Sequence, residues 1–218
     1  MKPLCLDAVR SALVVAPHPD DETIGAFGLI RLLRRRGARV RVLIATDGAG
    51  SHPGSSRWPT ARLIAERERE TRAVLARVGV AAGDIRFLRL PDGGMTAGGA
   101  TVRTRLARAL ARARGHDLLV MPAPDDDHPD HRIVSQIAAE TPAVRRIHYL
   151  VWPNREIRAR RATHGLRLGP GAAAKRGAVR RYRSQLGLID DDPAGFTISR
   201  RELAAFAHPV ERYRVAAR

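Results

Sequence analysis

Apolar and polar positions alternate along the chain in blocks. Ser11 to Ala16 (S-A-L-V-V-A) is an unbroken apolar run closed by Pro17, as a strand covered on both faces requires. From Thr23 to Arg36 the apolar residues Ile24, Phe27, Leu29, Ile30, Leu32 and Leu33 recur at helical spacing, and Gly37 stops the helix. The pair then repeats. Val40 to Ala45 predicts a second strand ending in Thr46, Asp47 and Gly48, and the Gly/Ser/Pro-rich stretch from Gly48 to Pro59 predicts a loop over a site. Thr60 to Val78 predicts an amphipathic helix, Ile85 to Leu90 a third strand, and Val102 to Arg114 another helix. Leu118 to Met121 follows as a fourth strand, Ile133 to Ala139 lies on a helix, and Ile147 to Trp152 makes a fifth strand. Strands alternating with helices predict an α/β, Rossmann-like three-layer fold with a mostly parallel central sheet.

Past this point the pattern fades. Residues 153 to 183 are rich in Arg, Gly and Ala and predict only a turn at Gly169, Pro170 and Gly171, while Phe196 to Tyr213 predicts a terminal helix packed through Leu203 and Phe206. A chain of 218 residues, 44% apolar, without repeats or a low-complexity linker, fits one domain over residues 1–218. No apolar run approaches the roughly 18 residues that cross a bilayer, and the N-terminal segment lacks a leader pattern, so a soluble cytoplasmic protein is expected. Cys5 is the one cysteine. It excludes an internal disulfide and thiolate metal clusters, so any metal must be held by His and carboxylates.

The formal charge of +17 raises nucleic acid or an anionic surface as a partner. Of the 39 basic residues only Lys2 and Lys175 are lysines, and the arginines run along the whole chain, which reads as a solvated surface. Aromatics at 4% leave few rings on which bases could stack, so no specific nucleic-acid partner is expected.

Two clusters carry candidate chemistry. His18, Pro19, Asp20, Asp21 and Glu22 follow the first strand and open a helix. Asp126, Asp127, His128, Pro129, Asp130 and His131 follow the fourth strand and open another. Carboxylates at helix starts have a structural explanation in capping and the helix dipole. That explanation covers Asp21 or Glu22; it does not cover a His directly before Pro, nor its recurrence. Ligands of doubly wound sheets bind outside the carboxyl ends of the strands, where both clusters fall. Imidazoles and a carboxylate drawn from the two turns would leave open positions on one ion, as a water-activating site needs. Zinc suits these ligands, and iron, cobalt and nickel are also admitted.

A-P-H-P-D-D-E-T-I-G (Ala16 to Gly25) and D-D-H-P-D-H (Asp126 to His131) resemble the two signatures of the PIG-L/LmbE family of zinc-dependent N-acetylglucosaminyl deacetylases. The likeness continues through Thr46–Gly48, Arg67 to Glu70, Val78–Val80 and Pro91–Gly93, and reaches the tail at Lys175, Ala178 and Ser184-Gln185. The resemblance implies that His18, Asp21 and His131 bind the metal and that Asp20 is the general base. It implies that His128 stabilises the oxyanion or protonates the leaving amine, that Asp130 orients the His128 ring, and that Arg67 contacts substrate.

Spacing alone would instead pair Arg67 with Glu70 on an exposed helix face. Glu22 reads as a helix-start residue, Asp47 and Asp92 as turn or rim residues, and Trp58 and Trp152 as core rather than sugar-stacking rings. The implied reaction is removal of an N-acetyl or other N-acyl group from an amino sugar or glycoconjugate. The rivals are another metal-dependent amidase, a phosphoesterase, and a basic nucleic-acid-binding protein. The segment from Arg155 to Arg167 matches nothing in the family and would suit a phosphate- or lipid-linked saccharide at an anionic membrane.

Overall fold

The computed structural model describes residues 1–111, 115–142, 145–151 and 162–215. Its strands are β1 (Lys2–Pro3), β2 (Ser11–Ala16), β3 (Arg39–Thr46), β4 (Ile85–Leu90), β5 (Leu118–Pro122), β6 (Arg145–Tyr149), β7 (His164–Arg167) and β8 (Val210–Val215). Its helices are α1 (Asp21–Arg35), α2 (Thr60–Ala76), α3 (Gly99–Ala111), α4 (Pro129–Ala139), α5 (Gly171–Val179) and α6 (Arg200–Phe206). The strands form one sheet in the order β1-β7-β8-β6-β5-β2-β3-β4, parallel except where β8 runs against β6 and β7.

Alternate residues of the central strands enter separate cores. Val14, Val42, Ile44 and Val120 pack with Leu29, Ile30 and Leu33 of α1, Leu75 of α2, Val179 of α5 and Phe206 of α6. Leu13, Val15, Leu43, Leu119 and Met121 pack with Leu106 and Leu110 of α3 and Val134 and Ile137 of α4. This is the expected three-layer arrangement, and it explains why these strands read as continuous apolar runs: both faces are covered. β2 lies between β3 and β5. The chain leaves β2 through α1 toward β3 and later returns to the other side of β2 as β5, so the crossover direction reverses there. The turns that follow β2 and β5 therefore face each other at the carboxyl end of the sheet.

Three expectations are corrected. The fifth strand is Arg145–Tyr149 rather than Ile147 to Trp152, and Trp152 lies outside the described residues. Only Arg200–Phe206 of the predicted terminal helix is helical; Val210–Val215 is a strand. Within 153 to 183, residues 155–161 of the Arg-rich segment lie outside the described residues, but His164–Arg167 is β7 and Gly171–Val179 is α5. No helix among the described residues is long and apolar enough to cross a membrane.

The added strand β8 has a positional role. Ala26 leaves helical geometry inside α1 (φ −139), and the carboxylate of Glu211 on β8 accepts the N–H groups of Gly28 (2.8 Å) and Leu29 (3.1 Å) just beyond it. Lys175 of α5 donates to both Glu211 (2.8 Å) and the Ile24 carbonyl (2.7 Å). The C-terminal strand thus fixes the helix whose first turn carries the site.

Candidate metal centre

Chain geometry delivers the first cluster. After β2 the backbone turns at Pro17–Pro19, and the carbonyl of Asp20 accepts the N–H groups of Thr23 (2.9 Å) and Ile24 (2.8 Å) to start α1. Asp20 itself sits at φ 145°, a backbone region that a residue with a Cβ enters at a cost of about 1–3 kcal/mol. On the facing turn, His128 caps α4: its Nδ1 accepts the Asp130 N–H at 3.2 Å, and Pro129 follows at the position where a missing N–H costs nothing.

The two turns bring three donor atoms together. His18 Nδ1 lies 3.1 Å from Asp21 Oδ2 and 3.2 Å from His131 Nε2, and His131 Nε2 lies 3.1 Å from Asp21 Oδ2. Bonds of about 2.0–2.1 Å at tetrahedral angles place neighbouring ligand atoms about 3.3 Å apart, so this triangle has the size of one face of a zinc site. The outer nitrogen of each ring meets carboxylate: His18 Nε2 lies 3.0 Å from Asp92 and 3.5 Å from Asp130, and His131 Nδ1 lies 3.4 Å from Asp126. That inner-ligand, outer-carboxylate arrangement fixes ring orientation in histidine metal sites. Ring nitrogens of His18, His128 and His131 also converge to within 4.8 Å, as do donors of His18, Asp92 and Asp130. The triangle has separations of 3.1 to 3.2 Å and leaves Asp92, Asp130 and Asp126 to hold the outer ring nitrogens.

The electrostatics agree. Burial works against the charged form of His18, yet the carboxylates of Asp130, Asp21 and Asp92 raise its pKa well above the ordinary value. Burial likewise opposes a proton on His131, and Asp21 and Asp126 overcome it, lifting the group to about 9. Burial would raise Asp21, but His131 and His18 hold it well below the usual carboxylate range. A pocket that holds protons this strongly attracts a cation, which takes their place on the ligands.

Asp20 is buried beside this triangle, and burial pushes its pKa up to about 8 while Arg67 pulls in the opposite direction. Arg67 is itself buried on α2. It donates from Nη1 to Gly48 O (2.8 Å) and from Nη2 to Pro19 O (2.8 Å) and Asp20 Oδ2 (3.1 Å). Gly48, at φ 72°, admits the guanidinium because a Cβ there would stand 2.7 Å from Nη1. The pairing with Glu70 that spacing suggested is absent from this arrangement: Glu70 accepts the Ser184 N–H (2.9 Å) and hydroxyl (2.6 Å) instead. Arg67 borders the cavity, where the expected substrate contact would be made, and its hydrogen bonds within the protein go to Gly48 and to the Asp20 turn.

Asp130 meets the His128 ring through its backbone and the His18 ring through its carboxylate. Its carboxylate accepts the N–H groups of Gly93 (2.8 Å) and Met95 (3.3 Å) and faces His18; it is the Asp130 backbone N–H that engages the His128 ring. An accepting Nδ1 places the proton of a neutral His128 on Nε2. Burial, then His18 and His131, lower the pKa of His128, which favours its neutral form.

A cavity of about 310 Å³ opens over the site, lined by His18, Asp20, Arg67, Asp92 and His128, with Ser51, Gln185 and Phe196 among the residues that close its sides. The roles of Asp92, Asp126, Gln185 and Phe196 were not foreseen from the sequence. Asp92 follows β4 in a P-D-G turn, and only the packing of β4 beside β3 shows that this turn reaches His18.

Fold and site together define an α/β protein with a buried candidate cation site of histidines and carboxylates at the switch point of its sheet. The chain belongs to the PIG-L family: the family profile, described as GlcNAc-PI de-N-acetylase, matches residues 13–141. No curated protein matches the sequence. Among solved structures, N,N'-diacetylchitobiose deacetylase from Pyrococcus horikoshii superposes with a TM-score of 0.77 at 21% identity, over 97% of this chain and 85% of that one. A deacetylase from the teicoplanin biosynthesis pathway gives 0.66 at 17% identity, over 94% and 98%. GalB, the 4-carboxy-2-hydroxymuconate hydratase of Pseudomonas putida KT2440, gives 0.65 at 16% identity, over 91% and 82%. At these identities the likeness is one of fold.

Proposed function

We propose that the protein is a zinc-dependent deacetylase that hydrolyses the N-acetyl, or a similar N-acyl, group of an amino sugar or glycoconjugate. The observation that carries this reading is the triangle of His18 Nδ1, Asp21 Oδ2 and His131 Nε2 beside a buried, tethered Asp20. Membership of a family described as de-N-acetylases supports the reaction class. The hydratase neighbour shows that this fold also carries other chemistry, so the site must decide.

In this reading His18, Asp21 and His131 hold the ion, which when bound supplies a Lewis acid for the amide carbonyl and an acidified water. Asp20 is the general base: it takes the proton of the attacking water as oxygen bonds to the carbonyl carbon. Its burial raises proton affinity, and the Arg67 guanidinium and the ion lower it, so the group works near neutral pH. His128, neutral and protonated on Nε2, is a hydrogen-bond donor for the developing oxyanion. A neutral imidazole is a poor acid, so the proton that the departing nitrogen needs returns from Asp20 as the C–N bond breaks. Asp130 sets the His128 ring through its amide and the His18 ring through its carboxylate. Arg67 holds Asp20 and reaches substrate only with its cavity-facing edge.

The arginine-rich sequence from Arg155 to Arg167 would suit an anionic carrier on the sugar, such as a phosphate- or lipid-linked saccharide, and a cytoplasmic working place completes the reading. Sedimentation with anionic but not neutral liposomes tests the lipid carrier; equal failure with both removes it. The reaction itself is tested by amine release from a panel of N-acetylglucosamine derivatives by zinc-loaded protein, beside Asp20→Ala and a chelated sample. Release lost in both controls supports the assignment. No release from any member, with one ion tightly bound, turns the reading toward hydration or phosphoester hydrolysis.

A further inference from the structure

A second cavity, of about 320 Å³, opens between α1, α2 and α5 and is close in size to the one over the metal site. The two share no lining residue. Buried Tyr182 packs with the floor of the second cavity and bonds through its hydroxyl to Glu22 of the site turn.

The floor is apolar. Phe27 of α1, Val74 of α2 and Ala178 of α5 pack together there, with Val78 beside them. The rim is cationic: Arg31 stands on α1, and Arg77 and Arg181 lie just past the ends of α2 and α5. Among the described residues no acidic side chain lines the cavity, and none of the three guanidinium groups is engaged in a salt bridge or hydrogen bond. Free arginines are ordinary on a chain of net charge +17, and cations near helix C-termini answer the helix dipole, which accounts for Arg77 and Arg181. It does not account for Arg31, which lies in the body of α1 and turns against Gly171, where a Cβ would stand 2.9 Å from its Nη1.

Gly177 is a second, independent sign. It lies within α5 and lines the cavity, its φ is not positive, and a Cβ built on it meets nothing within 4 Å. Neither backbone nor packing calls for glycine at this position, where it costs a helix about 1 kcal/mol relative to alanine. Its effect is to leave the cavity wall open.

A cationic rim over an apolar floor is complementary to an anion carried on a hydrocarbon body. An inorganic anion would leave the floor unused, and a neutral hydrocarbon would leave the guanidinium groups unmatched. The volume falls at the small end of the range of about 300–1,000 Å³ that holds single small molecules, which favours one molecule over a membrane face. We propose that this cavity is a non-catalytic binding site for a single-chain anionic amphiphile. Its oxyanion head, the acceptor that guanidinium groups match, lies among Arg31, Arg77 and Arg181, and its alkyl chain lies over Phe27 and Val74. The assignment is independent of the reaction proposed at the metal site.

The test is a calorimetric titration of the zinc-loaded protein with decanoate below its micelle concentration, beside acetate and decyltrimethylammonium. Decanoate should bind saturably at one site, roughly tenfold or more tighter than either control, which lack the chain and the negative head respectively. Gly177→Leu fills the cavity while leaving every charge and the metal site in place, and should weaken decanoate roughly tenfold or more. Arg31→Gln with Arg181→Gln should do the same. Arg200→Gln with Arg201→Gln removes equal charge from exposed positions of α6 and should leave binding unchanged. Melting curves establish that each variant is folded, and if Gly177→Leu is not, the two double variants decide. Binding that never saturates, that persists undiminished in Gly177→Leu, or that falls equally in both double variants overturns the site. None of these outcomes depends on turnover, so the deacetylase reading stands or falls separately.

Discussion

Glu22 Oε2 accepts the backbone N–H of Asp20 at 3.1 Å, across the turn where Asp20 holds its unfavourable φ of 145°. The other oxygen of Glu22 accepts the hydroxyls of Thr23 and Tyr182, and all of these groups are buried. A strained conformation persists only when its surroundings over-determine it. Arg67 grips Asp20 from the carboxylate side and the Pro19 carbonyl, and Glu22 grips it from the amide side. The proposed base is therefore held by its neighbours rather than by its own backbone preference.

Glu22→Ala should accordingly cost about 1–3 kcal/mol of stability, because it strands the Asp20 N–H and the Tyr182 hydroxyl in a dry site. Among the molecules that fold, kcat should fall roughly tenfold or more while KM changes little, since the loss is in the aim of the base. Glu22→Gln keeps an acceptor and should retain most of the activity. Steady-state kinetics at matched metal content decide this, and equal kcat for the alanine variant and the wild type would refute it.

Metal titration separates the tight donor triangle from the His18, His128 and His131 set. His131→Ala should abolish stoichiometric zinc binding. His128→Ala should still bind one zinc and lose kcat by about 10²- to 10³-fold, the usual cost of an oxyanion donor. Asp92→Asn, which weakens the carboxylate behind His18, should lower zinc affinity by about 10- to 100-fold. Loss of zinc from the His128 variant would move that residue into the ligand set.

Chelation should lower the melting temperature as well as activity, because an ion that binds only the folded chain stabilises it by mass action. The gain is about 2.7 kcal/mol at a free ion concentration one hundred times Kd. Readdition of zinc should restore both. A melting curve indifferent to chelation in protein shown to contain the ion would speak against a site built from the helix starts of α1 and α4.

The legible and illegible parts of the chain divide on physical lines. β2, β3 and β5 read from the sequence because burial on both faces makes their central positions apolar. β7 and β8 were missed because their positions are mostly half-buried, and because β8 turns the charged Glu211 inward to satisfy Gly28, Leu29 and Lys175. His18, Asp20, Asp21, His128 and His131 were legible because the chemistry is concentrated in two short turns. The contact of Arg67 with Asp20 and that of Asp92 with His18 were not legible, since what they touch is set by the packing of α2 and the β4 turn around those turns. Phe196 was read only as the start of a terminal helix, and its place at the cavity shows only in the packed fold.

Glu70 gives a pH signature away from the metal ligands. Burial raises its pKa above the ordinary 4.5, against the pull of the Ser184 hydroxyl and amide. A carboxyl whose folded pKa is raised contributes its full stability below the unfolded value and loses it as pH rises through the folded one. Glu70→Gln cannot ionise, so its stability relative to wild type should improve as pH rises above the ordinary carboxyl value and level off once the folded carboxyl has ionised, as read by urea denaturation. A relative stability that declines over that range would mean the bonds from Ser184 outweigh burial.

Arg67→Lys is the sharpest test of how Arg67 is used. The guanidinium spans three acceptors, Gly48 O, Pro19 O and Asp20 Oδ2, at 2.8, 2.8 and 3.1 Å from a planar fork. A lysine keeps the charge, and with it the downward pull on the Asp20 pKa, but its single nitrogen cannot reproduce the fork. If Arg67 chiefly bound an anionic group of the substrate, lysine would raise KM and spare kcat. If it chiefly holds the Asp20 turn, kcat should fall by about 10²-fold with KM near the wild-type value, and stability should drop by about 1–3 kcal/mol from the carbonyls left unpaired. The expected outcome is the second, because three hydrogen bonds of the guanidinium are already committed within the protein. A variant with normal kcat and a raised KM would return it to the substrate.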